Sequence, residues 1–251
     1  MQTTDLCLEI RNVSKAFGGV IAADNVSLKI KRGEIRGLIG PNGAGKTTLL
    51  NLISGIYTVD SGSIFMDGHD VTSTPAYQRA RMGLARTFQS PRFIHRASIR
   101  NNLLLGTDLG DQISYMQSYF GKKTHNFRDE LVELLDLAQI SFDWDDEIAS
   151  MPFGQQKVLE IVRAMLEHPK YILIDEPAAG LNDVELTNAM KLIERATNLG
   201  CGVILIEHRM DMVMSFCHTI TVLNFGKVIA EGLPAEVQKN EAVIEAYLGR
   251  E

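Results

Sequence analysis

Gly40-Pro41-Asn42-Gly43-Ala44-Gly45-Lys46-Thr47-Thr48 fits the spacing G-x-x-x-x-G-K-[ST], and its flanks decide how it is read. Before it runs Glu34-Ile35-Arg36-Gly37-Leu38-Ile39; after it runs Leu49-Leu50-Asn51-Leu52-Ile53-Ser54. A strand leads into a glycine loop and a helix leads out, the context a phosphate-binding loop needs. Gly43 and Gly45 let the backbone curl until successive N–H groups point inward as an anion-binding nest. The helix that begins there adds its positive end. In such a loop Lys46 reaches the β- and γ-phosphates of a nucleotide, and the Thr47 hydroxyl sits on Mg²⁺. The bland alternative is a glycine-rich turn with a chance lysine, and the flanks weigh against it.

Two further apolar runs end in polar residues of the kinds that such a site uses. Tyr171-Ile172-Leu173-Ile174-Asp175-Glu176 reads as a buried parallel strand. Asp175 at its end is placed to hold Mg²⁺ through water, and Glu176 to act as general base on the attacking water. An acidic strand end beside a loop is the plainer reading. Gly202-Val203-Ile204-Leu205-Ile206-Glu207-His208 is a second such strand. His208 is either a hydrogen-bonded structural histidine or a contact to the γ-phosphate that positions the water. Gln89, closing the strand-like run Ala85 to Gln89, is an ordinary polar residue or a γ-phosphate sensor acting through Mg²⁺ or water. Phe17, before Gly18-Gly19, is a core-side aromatic at a turn or a ring stacked on adenine. Gly154-Gln155 opens a helix whose first N–H groups also suit a phosphate. One nucleotide has no obvious use for two helix starts from one chain, so the pair suggests two chains closing over each ATP.

Around these points the chain alternates. Leu6 to Val13 and Val26 to Ile30 read as antiparallel strands, and Ser63 to Gly68 as a short strand ending in a D-G turn. Pro75 to Met82 reads as a short basic helix. Between Ser90 and Ser150 strand patterning stops, and Leu131, Leu134, Leu135 and Leu137 bring helical spacing; the stretch 111–123 has no firm assignment. A helix with Val158, Ile161, Val162 and Met165 on one face follows, stopped near Pro169. Further helices are expected at Val184 to Thr197 and Met210 to Phe216, strands at Thr219 to Leu223 and Lys227 to Glu231, then a C-terminal helical piece. The expected fold is α/β: a core with a mostly parallel sheet, an antiparallel β subdomain and a helical insertion. Residues 1–89 and 151–251 form the core with its β subdomain, and 90–150 the helical subdomain, which the helix from 151 adjoins. Ligands then bind at the carboxyl ends of the parallel strands, where Gly40, Asp175 and His208 fall.

Composition narrows the classes. With 251 residues, 45% hydrophobic and 22% charged, the chain is ordinary for a soluble α/β domain with a subdomain. A net charge of −6 gives no electrostatic reason to expect nucleic acid. Cys7, Cys201 and Cys217 lie far apart in apolar surroundings and read as buried thiols in a reducing compartment. No run approaches the roughly 18 apolar residues that span a bilayer, and no basic-then-apolar leader opens the chain. A soluble, cytosolic chain is expected, with any membrane attachment made through a partner.

The succession of Phe17-Gly18-Gly19, Gly40 to Thr48, Arg86-Thr87-Phe88-Gln89, Met151 to Gln156, Ile172 to Pro177, Ala179 to Asp183 and Ile206-Glu207-His208 resembles the ATP-binding subunit of ABC transporters over essentially the whole chain. These match the family's A-loop, Walker A, Q-loop, signature, Walker B, D-loop and switch histidine. The resemblance implies one ABC ATPase domain on a P-loop NTPase core, with ATP and Mg²⁺ as ligands. It implies ATP contacts from Phe17, Gly40, Pro41, Asn42, Gly43, Ala44, Gly45, Lys46, Thr47 and Thr48, and metal contacts from Thr47, Gln89 and Asp175. Glu176, His208, Gln89 and Lys46 take the catalytic roles. Met151, Pro152, Phe153, Gly154 and Gln155 face the ATP of a partner chain, beside the D-loop residues Gly180, Leu181 and Asn182.

Phrases such as Asp175-Glu176-Pro177-Ala178-Ala179-Gly180-Leu181-Asn182 look most like the ATPases of branched-chain amino-acid importers; similar chains serve urea, short amides or lipopolysaccharide export. The implied partners are a second ATPase subunit, membrane permease subunits and, through them, a periplasmic or extracellular solute-binding protein, with no nucleic acid. The implied place is the cytoplasmic face of the inner membrane, as a peripheral subunit. Two positions depart from the family. Pro152 stands where a serine is usual, and Asn182 where the D-loop has aspartate. Two competing classes are a soluble ABC-type ATPase acting on DNA or ribosomes and another P-loop enzyme such as a small-molecule kinase or GTPase. The first predicts a coiled coil or tandem ATPase domains, the second a substrate lid or guanine-specific motif; neither signal is in the sequence.

Overall fold

The computed structural model describes residues 6–105 and 122–248, so the stretch 111–123 falls almost entirely outside the described residues. Two compact units are formed. The first takes the chain up to Arg86, then Lys170–Glu176, then the chain from Thr197. Its strands are β1 (Cys7–Phe17), β2 (Val20–Lys31), β3 (Ile35–Ile39), β4 (Ser61–Met66), β5 (His69–Asp70), β6 (Leu84–Arg86), β7 (Tyr171–Asp175), β8 (Gly202–Ile206), β9 (Thr219–Asn224) and β10 (Lys227–Gly232). Its helices include α1 (Lys46–Ile53) and α2 (Ala76–Arg81).

One sheet runs β10-β9-β3-β8-β7-β6, parallel throughout except for β10, which lies antiparallel on β9. Every residue of β3, β7 and β8 is buried. That is why β7 and β8 read as apolar runs and not as alternations, since both faces of a parallel sheet are covered, whereas β3 buries Arg36 and pairs it with Glu34. The other sheet, β2-β1-β4-β5, is antiparallel. Its alternation is loose because β1 changes register against β2 between Ile10 and Val13, around Asn12 with its φ of 51°. Both sheets share one apolar core with α1: Leu8, Ile10 and Ile30 from one sheet, Leu38, Leu173 and Ile206 from the other, Leu49, Leu50, Leu52 and Ile53 from the helix.

The second unit comprises Thr87–Pro169 and Pro177–Ala196. It contains α3 (Ile99–Leu104), α4 (Lys122–Ala138) and α5 (Phe153–Met165), with nearly all of α6 (Asp183–Asn198). Leu131, Leu134, Leu135 and Ala138 bury the face of α4; Leu137 is only half-buried, since the helical repeat carries the apolar stripe to Ala138. The sequence predicts a helical part over 90–150, adjoined by the helix that starts at 151. In the contact pattern α5 and α6 cluster with that part, and the reason is visible in their contacts: Asn188 Nδ2 donates to Ala138 O at 3.0 Å, and Arg195 pairs with Glu133 at 2.7 Å. One strand is shorter than expected. The run Ala85 to Gln89 leaves the sheet after Arg86, because the next amide bonds, at Phe88 and Arg92, go to a side chain, Glu160.

Candidate functional site

The phosphate-binding loop joins β3 to α1 in the first unit. Gly45 is the N-cap of α1 in a left-handed conformation, φ 103°, and a Cβ there would lie 2.2 Å from Ala22 O. Gly40 is held as tightly: a Cβ would lie 2.0 Å from Leu223 O. Only glycine fits either place. The turn between β9 and β10 braces the loop from outside, with Gly226 N–H donating to Ala44 O at 2.9 Å. Asn42, Gly43 and Thr47 stay exposed, whereas Lys46 is buried. Its Nζ donates to Gly40 O at 2.7 Å and Pro41 O at 3.0 Å. Burial lowers the Lys46 ammonium below its ordinary value, and the charges of Glu176 and Asp175 work against that.

Those two carboxylates stand at the end of β7. Asp175 is buried, and burial raises its carboxyl above the usual range, opposed chiefly by Arg86, whose Nη2 lies 3.7 Å away. Arg86 also donates to Asn51 Oδ1 at 2.7 Å and Ser54 Oγ at 2.9 Å on and just after α1. It therefore ties the acidic strand end to the helix of the phosphate loop, a role the sequence reading did not give it. The signal was present, as an arginine closing a buried edge of the sheet. Glu176 takes a φ of 50°, and its N–H donates to Ile206 O at 3.0 Å. That turn brings its Oε1 within 2.9 Å of His208 Nε2, which follows β8. Glu207 accepts from His208 N–H at 2.9 Å and Arg209 N–H at 3.3 Å and so fixes the turn between β8 and the helix α7 (Met210–Phe216). An acid directly ahead of a helix was the missed cue.

Phe17 ends β1, one residue before the turn, and is 42% exposed. It meets Tyr57 edge to face, with centroids 5.2 Å apart. An exposed ring beside a second ring offers a flat apolar surface at the edge of this unit. Tyr247, in the C-terminal helix (Glu241–Leu248), is exposed as a side chain, but partial desolvation pushes its hydroxyl up and a hydrogen bond from the Gly40 backbone opposes the rise. The chain's last described helix thus reaches the first glycine of the phosphate loop.

Gln89, the signature stretch and the D-loop belong to the second unit. Gln89 is exposed in the loop after β6. Met151 is buried, while Pro152 and Phe153 are exposed at the start of α5. Phe153 lies over Gly180, where an added Cβ would sit 3.3 Å from the ring. Gly154 faces Glu185, and a Cβ there would lie 2.2 Å from its Oε2, so at this point α5 approaches α6 closely because the residue is a glycine. Asn182 caps α6 reciprocally with Glu185: Asn182 N–H donates to Glu185 Oε2 at 3.0 Å and Glu185 N–H to Asn182 Oδ1 at 2.9 Å. Asparagine serves as well as aspartate in that cap.

Comparison with known proteins agrees in kind. Residues 23–179 match the ABC transporter family, and residues 227–251 match the branched-chain amino acid ATP-binding cassette transporter family. A probable branched-chain amino acid transport ATP-binding protein, LivG, of Archaeoglobus fulgidus is 34% identical over 96% of this chain and 95% of its own. The lipopolysaccharide export system ATP-binding protein LptB of Escherichia coli is 33% identical over 97% of this chain and 98% of its own. Among solved structures, a nucleotide-free ATP-binding cassette from an ABC transporter superposes with a TM-score of 0.82 at 30% identity, covering 97% of this chain and 99% of that one. With its mixed α/β sheets and its phosphate loop, the chain belongs to the ATP-binding subunits of the ABC transporter family.

Proposed function

We propose that this ABC ATPase drives a membrane importer for branched-chain or other amino acids. In this reading it works as a peripheral subunit at the cytoplasmic face of the membrane, with a second ATPase chain, permease subunits and, beyond them, a solute-binding protein. One observation carries the catalytic half: Glu176 and His208, 2.9 Å apart at the ends of neighbouring parallel strands, stand where the buried Lys46 feels both Glu176 and Asp175. The match of residues 227–251 and the name of the Archaeoglobus relative support amino acids as the cargo. The Escherichia relative supports lipopolysaccharide export as the second reading.

The residues suggest how hydrolysis proceeds. Lys46 exchanges the carbonyls of Gly40 and Pro41 for the β- and γ-phosphate oxygens of ATP, and the N–H groups of the loop through Thr48 surround the β-phosphate. Phe17 lies against the adenine. Glu176 Oε1 accepts the proton of the attacking water, and His208 holds that carboxylate and donates to the γ-phosphate. Charge growing on the leaving oxygen meets Lys46 and the loop amides, already in place before reaction. The exposed Thr47 hydroxyl and the buried Asp175 carboxylate are hard oxygen donors that suit Mg²⁺; when bound, that ion neutralises charge on the phosphates. Gln89 is assigned the remaining polar contact to the ion or the water. From the second chain, the start of α5 (Met151 to Gln155) faces the γ-phosphate, with Gly180, Leu181 and Asn182 beside it. Pro152 has neither N–H nor hydroxyl to offer, so that contact rests on the amides of the helix start.

The test is isolation from membranes with identification of the bound permease, then reconstitution in proteoliposomes. Leucine, isoleucine or valine, presented with the binding protein, should raise ATP turnover several-fold. Stimulation by lipopolysaccharide and not by amino acids would replace import with export.

A further inference from the structure

Glu160 stands out on α5, where the residues around it, Leu159, Ile161 and Val162, are buried and apolar. It is itself only 2% exposed. A buried carboxylate is costly unless its oxygens are matched by donors. Here they are matched by the backbone of one loop, with the Arg163 guanidinium 3.6 Å from Oε1 as the charged neighbour. Phe88 N–H donates to Glu160 Oε2 at 3.2 Å and Arg92 N–H to Oε1 at 3.0 Å. These two amides bracket Gln89, Ser90 and Pro91. The loop is fastened twice more: the Arg92 guanidinium lies 3.9 Å over the Phe88 ring, and the Arg163 guanidinium of α5 lies 4.5 Å over the Phe93 ring. One turn earlier on α5, Lys157 Nζ donates to Ala179 O at 2.8 Å, just ahead of Gly180.

From these contacts we infer that Glu160 is a positioning residue for hydrolysis: it clamps the loop carrying Gln89 to the signature helix, so that both move as one body. The inference rests on the role of Gln89 proposed above. Only a carboxylate supplies two acceptor oxygens at this spacing. Glutamine keeps the shape but offers one acceptor, and its NH₂ faces an amide donor, so Glu160→Gln releases one end of the loop without emptying the core.

The experiment uses the full chain. Amide hydrogen exchange on the native protein should find Phe88 and Arg92 protected, and in E160Q at least one of them should exchange about tenfold faster or more. In steady-state ATP hydrolysis E160Q should lose about tenfold in kcat with KM for ATP unchanged, as a misplaced contact to the reacting centre does. Glu160→Asp keeps both oxygens on a stem one carbon shorter and should fall between, which also covers the case in which E160Q folds poorly. Unprotected amides at Phe88 and Arg92 in the native chain would overturn the clamp, and so would a kcat unchanged in both variants. A loss in KM alone, with exchange raised along the whole of α5, would reduce Glu160 to a packing residue. Gln89→Ala is the control. If it hydrolyses ATP like the native chain, the role of Gln89 has failed and not the clamp, which the exchange at Phe88 and Arg92 still reports.

Discussion

Glu176 holds a left-handed backbone conformation, φ 50°, which costs a residue with a side chain about 1 kcal/mol. The cost is tied to what it achieves, because that turn aims the carboxylate at His208. Glu176→Gln keeps the size and the hydrogen bond but cannot take a proton. We expect kcat to fall about 10²- to 10⁴-fold with the Kd for ATP unchanged in a fluorescent-nucleotide titration; near-native turnover would remove Glu176 from the base role. Asp67 illustrates a different residue-level balance. It sits in the Asp67-Gly68 turn after β4, with φ values of 48° and 81°. It accepts from Tyr171 Oη at 2.7 Å and Arg32 Nη2 at 2.5 Å, with Lys170 Nζ 3.6 Å away. Burial pushes its carboxyl up, but the hydrogen bonds from Arg32 and Tyr171 outweigh it and hold the group below the usual carboxylate range. A folded pKa below the unfolded one gives stability that is complete above about pH 4 and is lost as pH falls through the folded value. Asp67→Asn still suits the turn and removes the titration. The gap in urea midpoint between native and D67N should therefore be widest near neutral pH and close below pH 4. A gap independent of pH would show that the charge at Asp67 contributes nothing.

At the scale of elements, α1 ends as deliberately as it begins. Leu52 O and Ile53 O, at its carboxyl end, accept from the fully buried Arg79 Nη1 at 2.8 and 2.7 Å. The same guanidinium donates to Thr74 O at 2.8 Å and Thr72 O at 3.0 Å. Burial lowers the guanidinium to about 10, opposed only by the charge of Asp70. A cation at a helix carboxyl end is favourable, and four carbonyls depend on this one. Arg79→Met should cost about 3 kcal/mol in urea unfolding, since it removes four donated hydrogen bonds and leaves Leu52 O with only the Gly55 N–H at 3.1 Å. Arg79→Lys, with three donors and no planar fork, should cost less. Equal stability of R79M and the native chain would refute the capping role. The sequence shows α2 as a basic helix and nothing of this, because the helix-end carbonyls of Leu52 and Ile53 lie more than twenty residues upstream. By contrast β7 and β8 are legible, since burial on both faces demands apolar runs and the polar residues that end them mark the site, and β3 is legible from the glycine loop that follows it. The run after Arg86 misled for a physical reason: Thr87 and Phe88 favour strands, but the amides that would extend the ladder are claimed by a glutamate seventy residues on. Strand-end logic puts Glu176 and His208 at the ends of two parallel strands, but their 2.9 Å contact and the reach of Arg86 to Asn51 are seen only in the structure.

For the whole molecule, the decisive fact is that one chain carries one phosphate loop and one signature stretch. Each presents exposed groups: Asn42, Gly43 and Thr47 on the first, Pro152 and Phe153 on the second. If each nucleotide is gripped by a loop from one chain and a helix start from another, ATP is part of the interface and its cleavage dissolves it. Two copies then form a closed, two-fold pair in which both sites are alike. Blocking the chemistry should trap that pair. In sedimentation velocity, Glu176→Gln with ATP should run as a dimer, and the same protein with ADP as a monomer. Pro152→Ser adds a hydroxyl at the start of α5 and a better helix cap, worth about 1 kcal/mol. Placed on the E176Q background it should lower the protein concentration needed for dimerisation several-fold with ATP, while leaving the ADP sample monomeric. A gain in thermal stability without any gain in ATP-driven association would mean that Pro152 caps a helix and touches no nucleotide. ATP and ADP samples that sediment alike at every concentration would mean that this chain does not share its nucleotide with a second copy of itself.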